Sequence, residues 1–305
     1  MKTITLSVFF MFTLALSAFC GGNLELVNTQ EMKLDNIINV RIIYSSERVS
    51  VYMGTTDTLI IKEYMNENNE KYFAKINNTG NTITIENGDR PFRPIFNFFN
   101  RRLEVYLPVS YKNTMSIKTS SGNIETSNIF GSDIIIESSS GNISADSITS
   151  NKINLNTSSG RIDVGNAGGN ITVESSSGRI EINQANGMLT LKTTSGNIEL
   201  GMVTGSVNAR TSSGRIYCTV NESAGDITLN TSSGAVRLYL PQSLSFSFSS
   251  RTSSGRLTTP FSDRLSNPVN DRNLTQGIIG NNNDSINIPK VDIRTSSGSI
   301  SIEWR

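Results

Sequence analysis

Nine copies of one short phrase constrain this chain more than any other feature in it. The phrase is Thr/Ser-Ser/Thr-Ser-Gly, one variable residue, then Ile, Val or Leu. It first reads Thr119-Ser120-Ser121-Gly122-Asn123-Ile124 and last reads Thr295-Ser296-Ser297-Gly298-Ser299-Ile300. The glycines are Gly122, Gly141, Gly160, Gly178, Gly196, Gly214, Gly234, Gly255 and Gly298, spaced by 19, 19, 18, 18, 18, 20, 21 and then 43 residues. A fixed period near 18 marks a stacked-repeat architecture, in which each unit is stable only against its neighbours.

Each repeat holds two alternating runs. One follows the phrase, as in Arg161-Ile162-Asp163-Val164. The other follows a mid-repeat turn, as in Gly169-Asn170-Ile171-Thr172-Val173-Glu174, with counterparts starting at Gly131, Gly187, Gly205 and Gly225. Alternation puts Ile171 and Val173 on one face and Asn170, Thr172 and Glu174 on the other. Glycine at both breaks is expected to supply positive φ. Two short strands and two turns in 18–20 residues make one coil of an all-β parallel solenoid. At about 4.8 Å per coil, eight steps span about 38 Å. The same period could form an antiparallel meander, but identical phrases favour parallel stacking, where like meets like.

Counting by twos from Val173 places the Ser175 and Ser177 hydroxyls inward. Stacking would then align Thr157, Ser175, Thr193, Thr211 and Thr231 into an internal ladder of groups that both donate and accept. The competing reading of a serine nucleophile fails on composition. The chain has no histidine, so neither a Ser-His nor a Cys-His pair can form. Two cysteines, no histidine and no cysteine pair at ligand spacing leave no zinc-type site, and no cofactor motif is present. Cys218, in step with Ile216 and Val220, reads as a small buried hydrophobe.

Residues 1–20 read as an export signal: Lys2, then an apolar run. Cleavage is open between two outcomes. Ala18-Phe19-Cys20 suits an ordinary signal peptidase, whereas lipidation would make Cys20 the attachment point, with Phe19 departing from the small residue expected before such a cysteine. Removing Lys2 from 27 basic and 26 acidic residues leaves a neutral chain. Neutrality argues against nucleic acid, since phosphate binding needs a basic excess.

Residues 21–34 form a lead-in and 35–110 the irregular first coils or cap. Within the cap, residues 90–102 concentrate arginine and phenylalanine. Arg90, Phe92, Arg93, Phe96, Phe98, Phe99, Arg101 and Arg102 are candidate partner or membrane contacts, with aromatics as anchors and arginines beside anionic groups. The alternative is a lid that folds its phenylalanines over the solenoid. Residues 111–305 carry the repeats, with 262–288 as an excursion loop. The residue after each phrase glycine should stack into an exposed row. Asn142, Arg161, Arg179, Asn197 and Arg215 either bind anionic polymer or sugar, or form a solvated face in which Asp163 and Glu181 offset the arginines.

The Thr-Ser-Ser-Gly phrases, together with Leu103-Glu104-Val105-Tyr106-Leu107-Pro108 before them and Ser296-Ser297-Gly298-Ser299-Ile300-Ser301-Ile302 at the end, resemble the bacterial toastrack family of β-strand repeats. This is a domain of unknown function that also carries an adhesin label. The resemblance covers roughly residues 40–305. It implies a right-handed parallel β-helix at the bacterial envelope or surface, and some relatives are tied to envelope-stress signalling beside membrane-anchored partners. It brings no catalytic residues. Members built into membrane proteins have a membrane helix, and this sequence shows none beyond its first twenty residues.

The first expectation is therefore an exported, non-enzymatic scaffold or adhesin-like module, in the periplasm, outer membrane or cell surface, with a protein or envelope-polymer partner. A membrane-associated stress sensor is the second. A polysaccharide-active enzyme is the third; it would need clustered carboxylates or a calcium site on one face, and Asp163, Glu181 and Glu199, one per coil, form a row of equal acids and not a tuned pair.

Overall fold

The alternation in each repeat is obeyed residue by residue. In the computed structural model, which describes residues 24–91, 99–271, 273–280 and 288–305, Ile162, Val164, Ile171 and Val173 are buried, and Asp163, Thr172 and Glu174 are not. Each buried Ile, Leu or Val is worth about 1.5–3 kcal/mol over an exposed one, so the inward rows outweigh every surface contact. The strands stack in parallel, like over like. Ile162 pairs with Ile180, Ile180 with Ile198 and Ile198 with Ile216. On the opposite wall Ile171 pairs with Leu189 and Leu189 with Val207. The molecule is a parallel β-solenoid.

Two strands per coil understates the cross-section. In the central coils a third short side lies between the two walls: Ile148, Ala167, Ala185 and Val203 point inward from it and stack on one another. The strands Ile143–Thr157 and Ile162–Ser175 run around both bends without a break. The sequence hides this side because its inward residue is alanine in two coils.

The corners explain the phrase. The backbone N–H groups of its second and third residues both donate to one carbonyl of the adjacent coil. Ser158 and Ser159 donate to the Ser139 carbonyl, Ser176 and Ser177 to that of Ser158, and Thr194 and Ser195 to that of Ser176. This brings each glycine onto the glycine beneath it. A Cβ on Gly178 would overlap the Gly160 carbonyl, and one on Gly196 the Gly178 carbonyl. Phrase glycines are therefore required for close approach, and none has positive φ. Positive φ belongs to mid-repeat glycines such as Gly169, Gly187 and Gly205, at 117–125°.

The hydroxyl ladder is internal, and from Thr157 to Thr231 its members bond the backbone and not each other, whereas at the start of the row the Thr119 hydroxyl donates to that of Ser138 at 3.1 Å. Thr157, Ser175, Thr193, Thr211 and Thr231 are buried. Each accepts from the glycine N–H three residues on, at 2.9–3.1 Å. Thr157, Thr211 and Thr231 also donate to the glycine carbonyl of the coil below at 3.1–3.2 Å. Ser177 is exposed, because the strand ends at Ser175 and the chain turns before the alternation can continue.

At both ends the order of coils departs from the order of sequence. The last coil, Lys290–Thr295 with Ile300–Trp304, lies between the Gly234 and Gly255 coils. Accordingly a Cβ on Gly298 would strike Gly234, and one on Gly255 would strike Gly298. At the other end the coil of Asn39–Ile43 and Arg48–Met53 lies between the coil of Thr82–Glu86 and Arg101–Leu107 and that of Thr114–Thr119 and Ile124–Ser127.

Antiparallel strands cover the outer edges. Thr58–Met65 pairs with Arg101–Leu107, and Glu25–Lys33 pairs with Thr58–Met65. At the far end 262–288 holds a hairpin, Ser266–Asp271 with Leu274–Ile279, that pairs on Phe246–Thr252. It extends the wall instead of leaving it as a loop, and Pro268 on its outermost strand removes a donor from that edge. Beneath, the rings of Phe246, Phe248 and Trp304 surround Phe261 at 5.3–5.6 Å and close the core.

Candidate interaction surfaces

The row after the corner glycines has two kinds of member. Its asparagines are committed to the backbone: the Oδ1 of Asn123 accepts from the Asn142 N–H, that of Asn142 from Arg161, and that of Asn197 from Arg215, at 2.8–3.0 Å. Its arginines face solvent beside an acidic row. Arg161 lies 3.8 Å from Asp163, and Arg179 bridges Glu181 at 3.0 Å and Glu199 of the next coil. Such exposed pairs contribute at most about 1 kcal/mol each. Asp163, Glu181 and Glu199 are neighbours in register. Burial raises the Asp163 carboxyl, Arg161 opposes this, and Glu181 adds to it. Arg215 makes no ion pair among the described residues.

The N-terminal end is built differently. Tyr44-Ser45-Ser46-Glu47 occupies the corner next to Thr119-Ser120-Ser121-Gly122, with Glu47 where the other corners have glycine. The N–H groups of Ser120 and Ser121 donate to the Ser45 carbonyl, as at every other corner. The next coil out, Thr82–Glu86 with Arg101–Leu107, has no Ser-Ser-Gly phrase in the sequence between its two strands. The N–H groups of Ser45 and Ser46 turn instead to Oε2 of Glu47, at 3.2 and 2.9 Å. Oε1 accepts from Arg101 at 2.7 Å and from Arg90 at 2.5 and 3.1 Å. Burial pushes the Glu47 carboxyl up, but the hydrogen bonds from Arg90 and Arg101 outweigh it and hold the pKa at about 2.

Arg101 is buried, and its guanidinium lies 5.4 Å from the Tyr44 ring and 5.5 Å from that of Phe99, while donating to the Tyr72 carbonyl. Behind it Glu63, also buried, accepts from Asn28 and from the Ala74 N–H at 2.8 Å. Burial raises the Glu63 carboxyl, against the pull of these bonds and of Arg101. The cluster ties the edge strand Glu25–Lys33, the turn at Tyr72 and the first corner into one closed network. Cys218 lies in the core, where burial pushes its thiol up to about 12.

A family model described as Toastrack DUF4097 matches residues 37–303. The chain belongs to that family. Solved structures similar to this Toastrack chain include an adhesin candidate from Bacteroides fragilis, at 17% identity and a TM-score of 0.44, covering 90% of this chain and 96% of that one. An adhesin candidate from Parabacteroides distasonis is 11% identical with a TM-score of 0.41, covering 92% and 98%. A candidate cell adhesion protein from Clostridium sporogenes is 11% identical with a TM-score of 0.25, covering 93% and 100%. No curated protein matches the chain.

The candidate contacts of this Toastrack chain divide sharply. Arg101 is not a surface contact: its side chain is sealed against Glu47, because a buried carboxylate needs a buried cation. Arg90 is half exposed but bound to Glu47 and Ser46. Arg102 stacks over Tyr64 at 4.2 Å and pairs with Glu104 at 3.1 Å. Phe99 packs edge-on against Tyr72. Cys20, Phe92, Arg93, Phe96 and Phe98 lie outside the described residues. Sequence reasoning missed Glu47, Tyr44 and Glu63. The signal was present as Ser45-Ser46-Glu47-Arg48-Val49, a phrase with its glycine replaced, but it stands outside the periodic spacing.

Proposed function

We propose that this protein is an exported, non-enzymatic, adhesin-like module of the bacterial envelope or surface, and that the solenoid flank is its working part. The observation that carries the reading is the stack itself. The inward rows and backbone corners consume the chain's structural demands, and the outward rows present mostly polar side chains that vary from coil to coil. A partner, whether protein or envelope polymer, meets an extended ridged surface instead of a cleft.

Attachment belongs to the same proposal. Cys20 precedes the first strand residue, Glu25, by a span of at most about 17 Å. A lipid on Cys20 would hold the Arg101 end near the membrane and direct the Gly255 end away. Mass spectrometry of the native amino terminus distinguishes a diacylglyceryl cysteine from a free amine. For the surface role, the labelled mature chain is incubated with bacterial envelope fractions and with host-surface glycoproteins. Saturable binding is expected. Turnover of an envelope polysaccharide without saturable retention would reverse the reading in favour of an enzyme.

A further inference from the structure

The third side of the solenoid carries a groove of about 270 Å³ between two outward rows. Asn166, Gln184 and Met202 form one row; Thr149, Gly168 and Asn186 lie along the other. No charged side chain lines it. The amides of Asn166, Gln184 and Asn186 are exposed and make no side-chain hydrogen bond among the described residues. They differ in this from Asn123, Asn142 and Asn197, whose amides serve the backbone.

Gly168 marks the same place. A Cβ there would touch the Thr149 side chain only at an ordinary 3.5 Å, and its φ is not positive. Both of its glycine neighbours along the coil, Gly165 and Gly169, face a backbone carbonyl that a Cβ would overlap. The fold therefore needs Gly165 and Gly169 but not Gly168, whose missing side chain leaves the row open between Thr149 and Asn186.

We propose that this groove binds a neutral polysaccharide laid along the stack axis; the proposal rests on the surface-module reading above and names its ligand class. Primary amides offer a donor and an acceptor together, as sugar hydroxyls do. Their repeat is the coil pitch of about 4.8 Å, close to the advance of one unit in an extended glycan. The floor between the rows is backbone, since Ala167 and Ala185 turn their methyls into the core, and half-buried Met202 at the end of one row is the apolar contact that suits the C–H face of a sugar ring. The lining residues carry no charge, so a polyanion gains nothing along Asn166, Gln184 and Asn186, although Arg305 reaches the Met202 sulfur at 3.1 Å at that end.

The test is affinity electrophoresis of the mature chain in gels containing a β-glucan, an α-glucan, a mannan or a galactan, with a polyuronate as the charged comparison. Retardation by at least one neutral glycan is expected. Gly168→Gln, which fills the groove, and the pair Gln184→Ala with Asn186→Ala, which strips its amides, should each weaken it at least about tenfold. Thermal melting should not change, and Arg215→Ala should bind like the parent. Retardation by none of the neutral glycans, or by the polyuronate alone, overturns the proposal. So does neutral-glycan binding that both groove variants leave intact. Retention of envelope binding by a groove-filled variant would sink the groove while leaving the surface role standing; loss of envelope binding in the unaltered chain would sink both.

Discussion

Glu47 stands beside Gly122 in the stack and does with its side chain what the neighbouring corners do with a carbonyl. Each interior corner satisfies two N–H groups on the coil beside it. Glu47 satisfies those of Ser45 and Ser46 on its own coil, and Arg101 and Arg90 neutralise the carboxylate. Replacing it by glutamine keeps an acceptor but leaves the Arg101 guanidinium buried without its counter-charge, which costs about 3–5 kcal/mol. Arg90→Ala removes a half-exposed partner and should cost about 1 kcal/mol or less.

The pH dependence of that loss has a definite sign. The Glu47 carboxyl falls from an ordinary 4.5 to about 2 on folding. A depressed carboxyl stabilises the fold above its unfolded value, on the order of 3 kcal/mol, and that contribution fades as pH falls from 4.5 towards 2. Melting curves of the parent and Glu47→Gln should therefore converge on acidification. Glu63, raised by burial, has the opposite sign. Its contribution is present at low pH and is lost as pH rises through its folded value, so Glu63→Gln should gain on the parent towards neutrality.

Three glycines test the distinction between approach, φ and neither. Gly178→Ala places a methyl against the Gly160 carbonyl and should cost about 3 kcal/mol or more. Gly169→Ala meets both a carbonyl and a φ of 117°, and should be at least as damaging. Gly168→Ala should lie within about 0.5 kcal/mol of the parent. Chemical denaturation at neutral pH ranks the three, and equal losses would refute the assignment of the phrase glycines to close approach.

This ranking shows where sequence reading runs out. Period and alternation report which residues face inward, because both follow from strand geometry. They therefore reveal the parallel stack and the buried Thr157 to Thr231 row. They do not report why a glycine is required, since Gly168, Gly169 and Gly178 are one letter. Nor do they reveal Arg101 beneath the surface: an arginine among phenylalanines reads as exposed until Glu47, fifty-four residues earlier, is brought against it. The order of the terminal coils is equally hidden, because the last phrase is as regular as those before it.

That order has a consequence for truncation. Removing residues 289–305 would take out the coil between the Gly234 and Gly255 coils, not one at the tip. Phe248 and Ser250 would lose Val291 and Ile293, and Leu240 would lose Trp304. Hydrogen exchange on the truncated chain should show loss of protection throughout Phe246–Thr252 and its hairpin, while Ile180–Asn186 stays protected. Loss confined to the last retained residues would show that the two flanking coils can meet directly.

The buried threonines supply a last test, one of chemistry at constant shape. Thr211 accepts from the Gly214 N–H and donates to the Gly196 carbonyl, both at 3.1 Å. Valine preserves the volume but silences both bonds, and it leaves a buried N–H without its acceptor. Thr211→Val should therefore cost about 1–3 kcal/mol. Serine restores the hydroxyl, as Ser138 and Ser175 do in their own coils, and should recover most of that loss less the missing methyl, about 0.8 kcal/mol. If valine proves as stable as threonine, the corner N–H groups are satisfied by something other than this side chain, and the phrase would have to be explained by its glycines alone.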